Sequence, residues 1–203
     1  MKLHWSPRSP YVRKVMICVH ELGLDDRIER VRSVAAMLKP NAELMQDNPL
    51  SKIPTLVRDD GSTLFDSRVI CEYLDEVGQG TLFPRGGEAR WQALRWQAFG
   101  DGLLDALILW RNERERSEVS RSPELIAAFE RKVDASLAQL AHEAAALSAA
   151  PFGIGHVAIA CALGYLDYRF DALGWRSKVD ALARWHASVE TRPSYRDTMP
   201  VDG

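Results

Sequence analysis

A serine and a proline precede the first apolar helical pattern of the chain, in the stretch SPRSPYVRKV at residues 6–15. Ser is a preferred N-cap and Pro is favoured at the first helical position, so Ser9-Pro10 predicts a helix start. A hydroxyl there lies beside unpaired backbone N–H groups and the positive end of the helix dipole. The sequence therefore predicts either a plain cap at Ser9 or a hydroxyl that helps to hold an anion. Ser6 is the rival hydroxyl, although it precedes the predicted helix.

Two later stretches also contain groups suited to binding. In NPLSKIPTL, Pro54 follows Ile53, and an X-Pro bond can be cis at a cost of only about 0.5–1 kcal/mol. The alternative is an ordinary proline at the start of a strand. Asp66-Ser67 lies where a predicted strand ends and a helix begins, so either side chain can cap that helix. Cap positions also present backbone N–H groups that bind carboxylates.

Composition restricts the classes of function. The chain has 203 residues, 46% of them hydrophobic and 27% charged, which indicates an ordinary globular protein. A net charge of −2 gives no electrostatic basis for binding nucleic acid or an anionic membrane surface. No apolar run resembles a signal peptide or a transmembrane segment. Cys18, Cys71 and Cys161 are interpreted as reduced packing residues of a cytoplasmic protein. No pair of them has zinc-ligand spacing, so we expect no metal.

The first part of the chain predicts an α/β domain. Its patterns give the order β-α-β-α-β-β-α, which requires a mixed sheet with helices packed on it. The predicted strands cover residues 2–5, 28–34, 55–58 and 63–65, and Asp60-Gly61 predicts the hairpin turn between the last two. Apolar residues from Val12 to Leu22 and from Val69 to Val77 recur at helical spacing.

The second part contains only helical patterns. Four long apolar stripes follow one another, and the third, from Ile154 to Tyr165, is apolar on several sides and is expected to be central. The segment between the two parts, VGQGTLFPRGGEA, is rich in Gly, as is typical of a linker. We therefore predict a domain at residues 1–78, a linker at 79–86 and an all-helical domain at 87–203.

Several motifs of the chain resemble those of a known protein family. Ser-Pro at the first helix, NPLSKIPTL before the third strand and DSRVICEYL at the third helix are similar to those of cytosolic glutathione S-transferases. FGDGLLDA and IACALGYLDYRF resemble the family's second domain. The resemblance covers nearly the whole chain and is to the bacterial, serine-using type. It implies a thioredoxin-like N-terminal domain with a four-stranded sheet.

The resemblance also implies roles for the residues above. Pro54 would be cis, and the backbone of Ile53 would bind the cysteinyl part of glutathione like an added strand. Ser67 would bind the γ-glutamyl carboxylate and Asp66 the γ-glutamyl ammonium group. The glycine carboxylate is assigned to Lys39 or Lys52, with ordinary solvated lysines as the alternative. The Ser9 hydroxyl would donate a hydrogen bond to the glutathione thiolate, with glutathione as co-substrate.

The electrophile, a small hydrophobic molecule, is expected between the domains. Its predicted wall residues, each of which could instead belong to the core or the surface, are Arg8, Tyr11, Trp96, Phe99, Trp110 and Arg111. The resemblance also implies a homodimer, in which Asp101 or Asp105 would reach the partner's glutathione. The alternatives are solvated carboxylates or a pair with Arg95.

One departure from the family concerns the central helix. The family starts this helix with Ser or Thr followed three residues later by Asp, whereas this chain has Gly153 and His156. We therefore expect the reciprocal hydrogen bonds of a capping box to be absent. The helix would instead be held by burial and by a staple between Phe152 and Val157.

The predicted function is glutathione transfer to electrophiles, as in detoxification. Two alternatives stay open: a non-catalytic binding or stress-regulatory protein of the same fold, and a glutathione-dependent reductase or isomerase.

Overall fold

The computed structural model describes residues 1–202, and its first part is an α/β unit. The elements are β1 (Lys2–Trp5), α1 (Pro10–Glu21), β2 (Glu29–Arg32), α2 (Leu44–Asp47), β3 (Thr55–Val57), β4 (Thr63–Leu64) and α3 (Ser67–Val77). A 3₁₀ turn at Asp25–Arg27 precedes β2. This is the predicted order of elements; β1 has its predicted bounds, and the other three strands are one to three residues shorter than the sequence patterns.

The four strands form one mixed sheet in the order β2-β1-β3-β4. β1 pairs with β2 in parallel and with β3 antiparallel, and β3 pairs with β4 antiparallel. The register places His4 opposite Thr55 and Leu56 opposite Leu64. The mixed sheet predicted from the sequence is confirmed.

Glycines with positive φ make two of the turns in this unit. Gly23 follows α1 with a φ of +62°, and Gly61 has a φ of +82° in the β3–β4 hairpin. L-residues rarely adopt such angles, so glycine is the residue that suits both places. The hairpin closes with a hydrogen bond from the Arg58 N–H to the Ser62 carbonyl at 2.8 Å.

The second part is helical. It contains α4 (Gly87–Arg114), α5 (Pro123–Ala149), α6 (Ile154–Arg169), α7 (Trp175–Lys178) and α8 (Asp180–Glu190), with 3₁₀ turns at Glu118–Ser120 and Asp171–Leu173. Residues from Ile154 to Leu166 on α6 are all buried, so this helix is the core of the helical unit, as its pattern predicts. Among residues 1–202, no helix has both the length and the apolar character needed to cross a membrane.

Two compact units divide the chain near Arg90, and the C-terminal segment from Pro193 belongs to the first of them. This segment contains α9 (Pro193–Arg196). It docks on α1, where the Arg13 guanidinium lies 3.9 Å from the centre of the Tyr195 ring and donates to the Tyr195 carbonyl at 3.1 Å. The helical sequence pattern does not reveal this return of the chain to the α/β unit.

The start of α6 differs from the sequence prediction. Gly153 is the N-cap and has no side chain to contribute, so one half of a capping box is absent. The other half forms, because Nδ1 of His156 accepts the Gly153 N–H at 3.2 Å. The expectation that both reciprocal bonds are absent is therefore wrong. An imidazole nitrogen can accept a hydrogen bond as a carboxylate does.

Candidate functional site

The pairing of the strands brings three chain segments to one edge of the sheet. β1 and β4 both run antiparallel to β3, so their carboxyl ends meet the amino end of β3. Ser6–Ser9 follows β1, Ile53-Pro54 precedes β3, and Asp66-Ser67 follows β4. Residues that are far apart in the sequence therefore share one edge.

Ser9 caps the helix at this edge. Its Oγ atom accepts the N–H of Val12 at 3.3 Å, and Pro10 is the first residue of α1. A hydroxyl has one hydrogen to donate as well as two lone pairs, so this cap leaves the Ser9 O–H free to donate. The Ser6 hydroxyl accepts from Arg32 at 2.9 Å and is largely buried. Of the two candidate hydroxyls, Ser9 is therefore the one that lies half-buried at the helix start.

The backbone at Ile53 is open for pairing. The Ile53–Pro54 peptide bond is cis, the isomer that the family resemblance implies. Within residues 1–202, the N–H and C=O of Ile53 form no hydrogen bond. Hydrogen bonds hold the loop that contains Ile53. The Lys52 carbonyl accepts from Asn48 Nδ2 at 3.2 Å and from Thr55 Oγ1 at 2.9 Å, residues that lie before and after the loop. A firmly held loop thus presents one donor and one acceptor.

Asp66 and Ser67 form the start of α3. The Asp66 carboxylate is the N-cap and accepts the Arg68 N–H at 2.9 Å. Ser67 is the first helical residue and is only 3% exposed. The first N–H groups of a helix have no partner inside it, so this position can bind a carboxylate.

The two candidate lysines are both exposed. Lys52 immediately precedes Ile53, whereas Lys39 lies in the segment between β2 and α2 and donates its backbone N–H to Ala36. Neither ammonium group forms an ion pair with another of residues 1–202. Both are available to a ligand carboxylate, and the assignment to either stays a prediction.

A buried polar chain that the sequence did not indicate supports this edge. His4 on β1 lies 2.7 Å from Ser33 Oγ through Nδ1 and 2.8 Å from Asp47 Oδ2 through Nε2. These contacts join β1 to the end of β2 and to α2. The partners are 29 and 43 residues away in sequence, so no local pattern could have predicted them.

The residues predicted to contact the electrophile lie in both units. In the first unit, Arg8 is exposed and Tyr11 is half-buried on α1. In the second, Trp110 is 2% exposed and packs on Phe170, with ring centroids 4.7 Å apart. Two further aromatics of α4, both predicted wall residues, are the buried Trp96 and the half-buried Phe99.

Arg111, the remaining predicted wall residue, is engaged with Glu115. Its Nε and Nη2 atoms donate to the two carboxylate oxygens at 2.6 and 3.1 Å. This pairing raises the pKa of Arg111 above its ordinary value. A role for these residues toward an electrophile stays a prediction.

Only one of the two acidic residues predicted on α4 is a solvated surface carboxylate. Asp101 is 2% exposed, so it is not a solvated carboxylate, whereas Asp105 is exposed. The alternative pairing with Arg95 is wrong, because Arg95 forms its ion pair with Glu143 of α5. Burial raises the pKa of Glu143, but hydrogen bonds from Arg95, Gln139 and Trp96 outweigh it and lower that pKa to about 2. A contact of Asp101 across a dimer stays a prediction.

One cluster in the described residues combines carboxylates with a histidine: Asp167, His186 and Glu190. The guanidinium of Arg176 already pairs with both carboxylates, with Nη2 at 2.8 Å from Asp167 Oδ2 and 2.7 Å from Glu190 Oε1. The cluster is therefore explained as an ion-pair network.

Comparisons with known proteins agree with this fold. The family model for the glutathione S-transferase N-terminal domain matches residues 8–77, and that for the C-terminal domain matches residues 123–188. The uncharacterized GST-like protein YibF of Escherichia coli K12 is 31% identical over 98% of each chain.

Solved structures are also similar over the full length. A glutathione transferase family member from Pseudomonas fluorescens Pf-5, with bound glutathione, has a TM-score of 0.94 and 41% identity over 99% of both chains. A glutathione S-transferase from Methylobacillus flagellatus KT, with GSH bound, has a TM-score of 0.89 and 34% identity, covering 98% of this chain and 99% of that one. The fold is thus that of the glutathione transferases, a mixed-sheet domain followed by a helical region. The chain belongs to the glutathione S-transferase family.

Proposed function

We propose that this protein is a glutathione transferase that uses Ser9 to stabilise the glutathione thiolate and direct it at a small hydrophobic electrophile. One observation carries the proposal: the sheet register brings the Ser9 cap, the unpaired Ile53 backbone and the Asp66-Ser67 helix start to a single edge. Glutathione bound to the relatives from Pseudomonas and Methylobacillus supports the same ligand here.

Each part of glutathione has a partner at this edge. The cysteinyl N–H and C=O pair with the backbone of Ile53, in the manner of an added strand. The γ-glutamyl carboxylate binds the amide and hydroxyl of Ser67, and the ammonium group binds Asp66. The glycine carboxylate binds Lys52 or Lys39. Most of the affinity then comes from residues other than Ser9.

The thiol itself meets Ser9. A free thiol has a pKa near 8.5, so little thiolate is present at neutral pH. Lowering that pKa by about two units requires about 2.7 kcal/mol of selective stabilisation of the anion. A hydrogen bond from a hydroxyl to a charged sulfur contributes about 1.5–3 kcal/mol, and the N-terminus of α1 up to about 1 kcal/mol. Together they suffice. The thiolate then forms the new S–C bond as the electrophile's leaving group departs with its electron pair.

The experiment is a pH–rate titration of conjugation with a generic aryl halide, with glutathione affinity measured by calorimetry. Ser9→Ala should leave the affinity nearly unchanged and lower the rate at neutral pH about 3- to 25-fold, in proportion to lost thiolate. The apparent pKa of the bound thiol should rise by about one to two units. Ser9→Thr keeps a hydroxyl and should retain most of the rate.

Ser9→Gly separates the chemical role from the cap. Glycine is nearly as good an N-cap as serine, so this variant loses the hydroxyl while the helix start is preserved. It should resemble Ser9→Ala in rate but not in stability. A wild-type rate and apparent pKa in both variants would refute the proposal for Ser9. Glutathione binding without turnover of any electrophile would instead support a binding protein.

A further inference from the structure

A cavity of about 560 Å³ lies in the helical unit, and none of its lining residues belongs to the elements described as the glutathione edge. It is lined by the end of α5, the connection to α6, and α8. Its apolar lining includes Leu147, Trp185 and Val189, which are 1%, 5% and 5% exposed. This volume is within the range of about 300–1,000 Å³ that small-molecule sites occupy.

Small side chains keep this cavity open. Ala144 and Ala145 line it from α5, and Ala181 lines it from α8. α5 and α8 pack against each other, and interiors are normally filled to crystal-like density. Alanines at these positions leave space that larger residues would fill.

The ionisable groups that line the cavity are Arg184, Arg192 and the neutral imidazole of His156, with no Asp or Glu among the lining residues. Arg184 is exposed and forms no ion pair with another of residues 1–202. The Arg192 guanidinium lies 3.9 Å from the centre of the Phe152 ring. Burial lowers the pKa of His156, and the nearby charge of Arg192 lowers it further. The cavity thus combines an apolar floor with a positive rim.

His156 does not supply the recognition in this cavity. Its Nδ1 accepts from Gly153 and its Nε2 lies 2.9 Å from the Leu147 carbonyl, so both nitrogens are occupied by the backbone. The hydroxyls of Ser148 and Ser188, which also line the cavity, donate to backbone carbonyls, so the donors for a ligand must come from the arginines. A guanidinium offers a planar pair of donors that matches a carboxylate.

We propose that this cavity binds a hydrophobic carboxylate, a small molecule whose acyl or aryl body carries one carboxylate group. The apolar body packs on Leu147, Trp185 and Val189. The carboxylate pairs with Arg184, and Arg192 adds positive potential at the rim. This site shares no residue with those assigned to glutathione or to the electrophile.

Calorimetry with decanoate and decan-1-ol tests this proposal, since the two probes share a chain and differ in charge. Decanoate should bind wild-type protein more tightly than decan-1-ol does. Arg184→Gln should weaken decanoate binding about fivefold, the effect of losing a partly exposed ion pair, and leave decan-1-ol binding unchanged. The matched control is Arg131→Gln, at an exposed arginine of α5 outside the cavity, which should change neither.

Two substitutions test the location from opposite walls. Ala145→Trp on α5 and Ser188→Trp on α8 should each fill the cavity and abolish decanoate binding, while glutathione affinity and far-ultraviolet circular dichroism stay as in the wild type. No heat of binding with decanoate up to about 1 mM would overturn the proposal. So would equal losses in Arg184→Gln and Arg131→Gln, or decanoate binding that survives both tryptophans in folded protein.

Discussion

The imidazole of His156 joins the ends of two consecutive helices through Gly153 and Leu147. Nδ1 accepts the N–H of Gly153 at the start of α6, and Nε2 lies 2.9 Å from the Leu147 carbonyl in the last turn of α5. The first N–H and last C=O groups of helices lack partners within the helix. Since Nδ1 is an acceptor here, the proton is on Nε2, which donates to Leu147. One neutral side chain thus satisfies a donor and an acceptor.

A capping box normally stabilises the start of a helix. Because His156 also binds Leu147, replacing it to restore the family's capping box should instead destabilise the protein. Gly153→Ser alone should change the free energy of unfolding by only a few tenths of a kcal/mol, the usual difference between these caps. Adding His156→Asp should lower it by about 1–3 kcal/mol, because the Leu147 carbonyl loses its donor. Urea denaturation measures both. A double variant as stable as the wild type would show that the restored capping box fully offsets the lost Leu147 contact, contrary to this prediction.

His156 should also make stability depend on pH. Burial, the largest cause, lowers the pKa of this imidazole below its ordinary value of 6.5, despite the hydrogen bonds with Leu147 and Gly153. The unfolded chain then binds a proton at a higher pH than the folded protein, so the free energy of unfolding falls as pH falls below about 6.5. The slope from this one group is at most about 1.4 kcal/mol per pH unit.

The pH effect is measured as the difference between wild type and His156→Gln. A glutamine can accept from Gly153 as in a capping box, but it does not titrate. The variant should lose stability less steeply than the wild type between about pH 6.5 and pH 5. The control is His142→Gln, at an exposed histidine of α5. Parallel stability curves for wild type and His156→Gln would contradict the assignment.

Ser67 should be a main contributor to glutathione affinity. If its hydroxyl binds the γ-glutamyl carboxylate, Ser67→Ala should weaken glutathione binding by about 1–3 kcal/mol. The helix should survive, because the cap is Asp66 and not Ser67. Calorimetric titration with glutathione decides the point. An unchanged affinity would remove Ser67 from the site while leaving the proposed role of Ser9 untouched.

The two glycines of the FGDG stretch should respond oppositely to alanine. A Cβ at Gly100 would lie 2.5 Å from the Ala158 carbonyl carbon and 2.7 Å from the Ile159 nitrogen, both backbone atoms of α6. We expect Gly100→Ala to lower the free energy of unfolding by about 1–3 kcal/mol, since the helices must separate.

Gly102 is the matched control, because a Cβ there would meet nothing within 4 Å. Gly102→Ala should stabilise the protein by about 0.5–1 kcal/mol, the ordinary preference for alanine in a helix. Thermal unfolding of both variants tests the contrast. Equal effects at the two positions would mean that α4 does not approach α6 as closely as described.

Local sequence determined most of the elements and, to within a few residues, their ends. Ser9 before Pro10, Asp66 before α3 and Gly61 in the hairpin are local signals, because capping and turn geometry involve residues only a few positions apart. The order of the elements followed from the same signals, whereas the roles predicted for the site motifs came from the resemblance to the family. The sequence therefore supported both the fold and the edge proposed to bind glutathione.

Tertiary structure decided which partners the polar groups have. His156 binds Leu147, Arg95 pairs with Glu143, and Asp101 is buried although its helix pattern allowed exposure. His4 likewise finds Asp47 across 43 residues. Periodicity shows that a helix has an apolar face, but not which helix covers it or which side chains meet there. Those pairings depend on how the elements pack, and packing is settled by the whole chain at once.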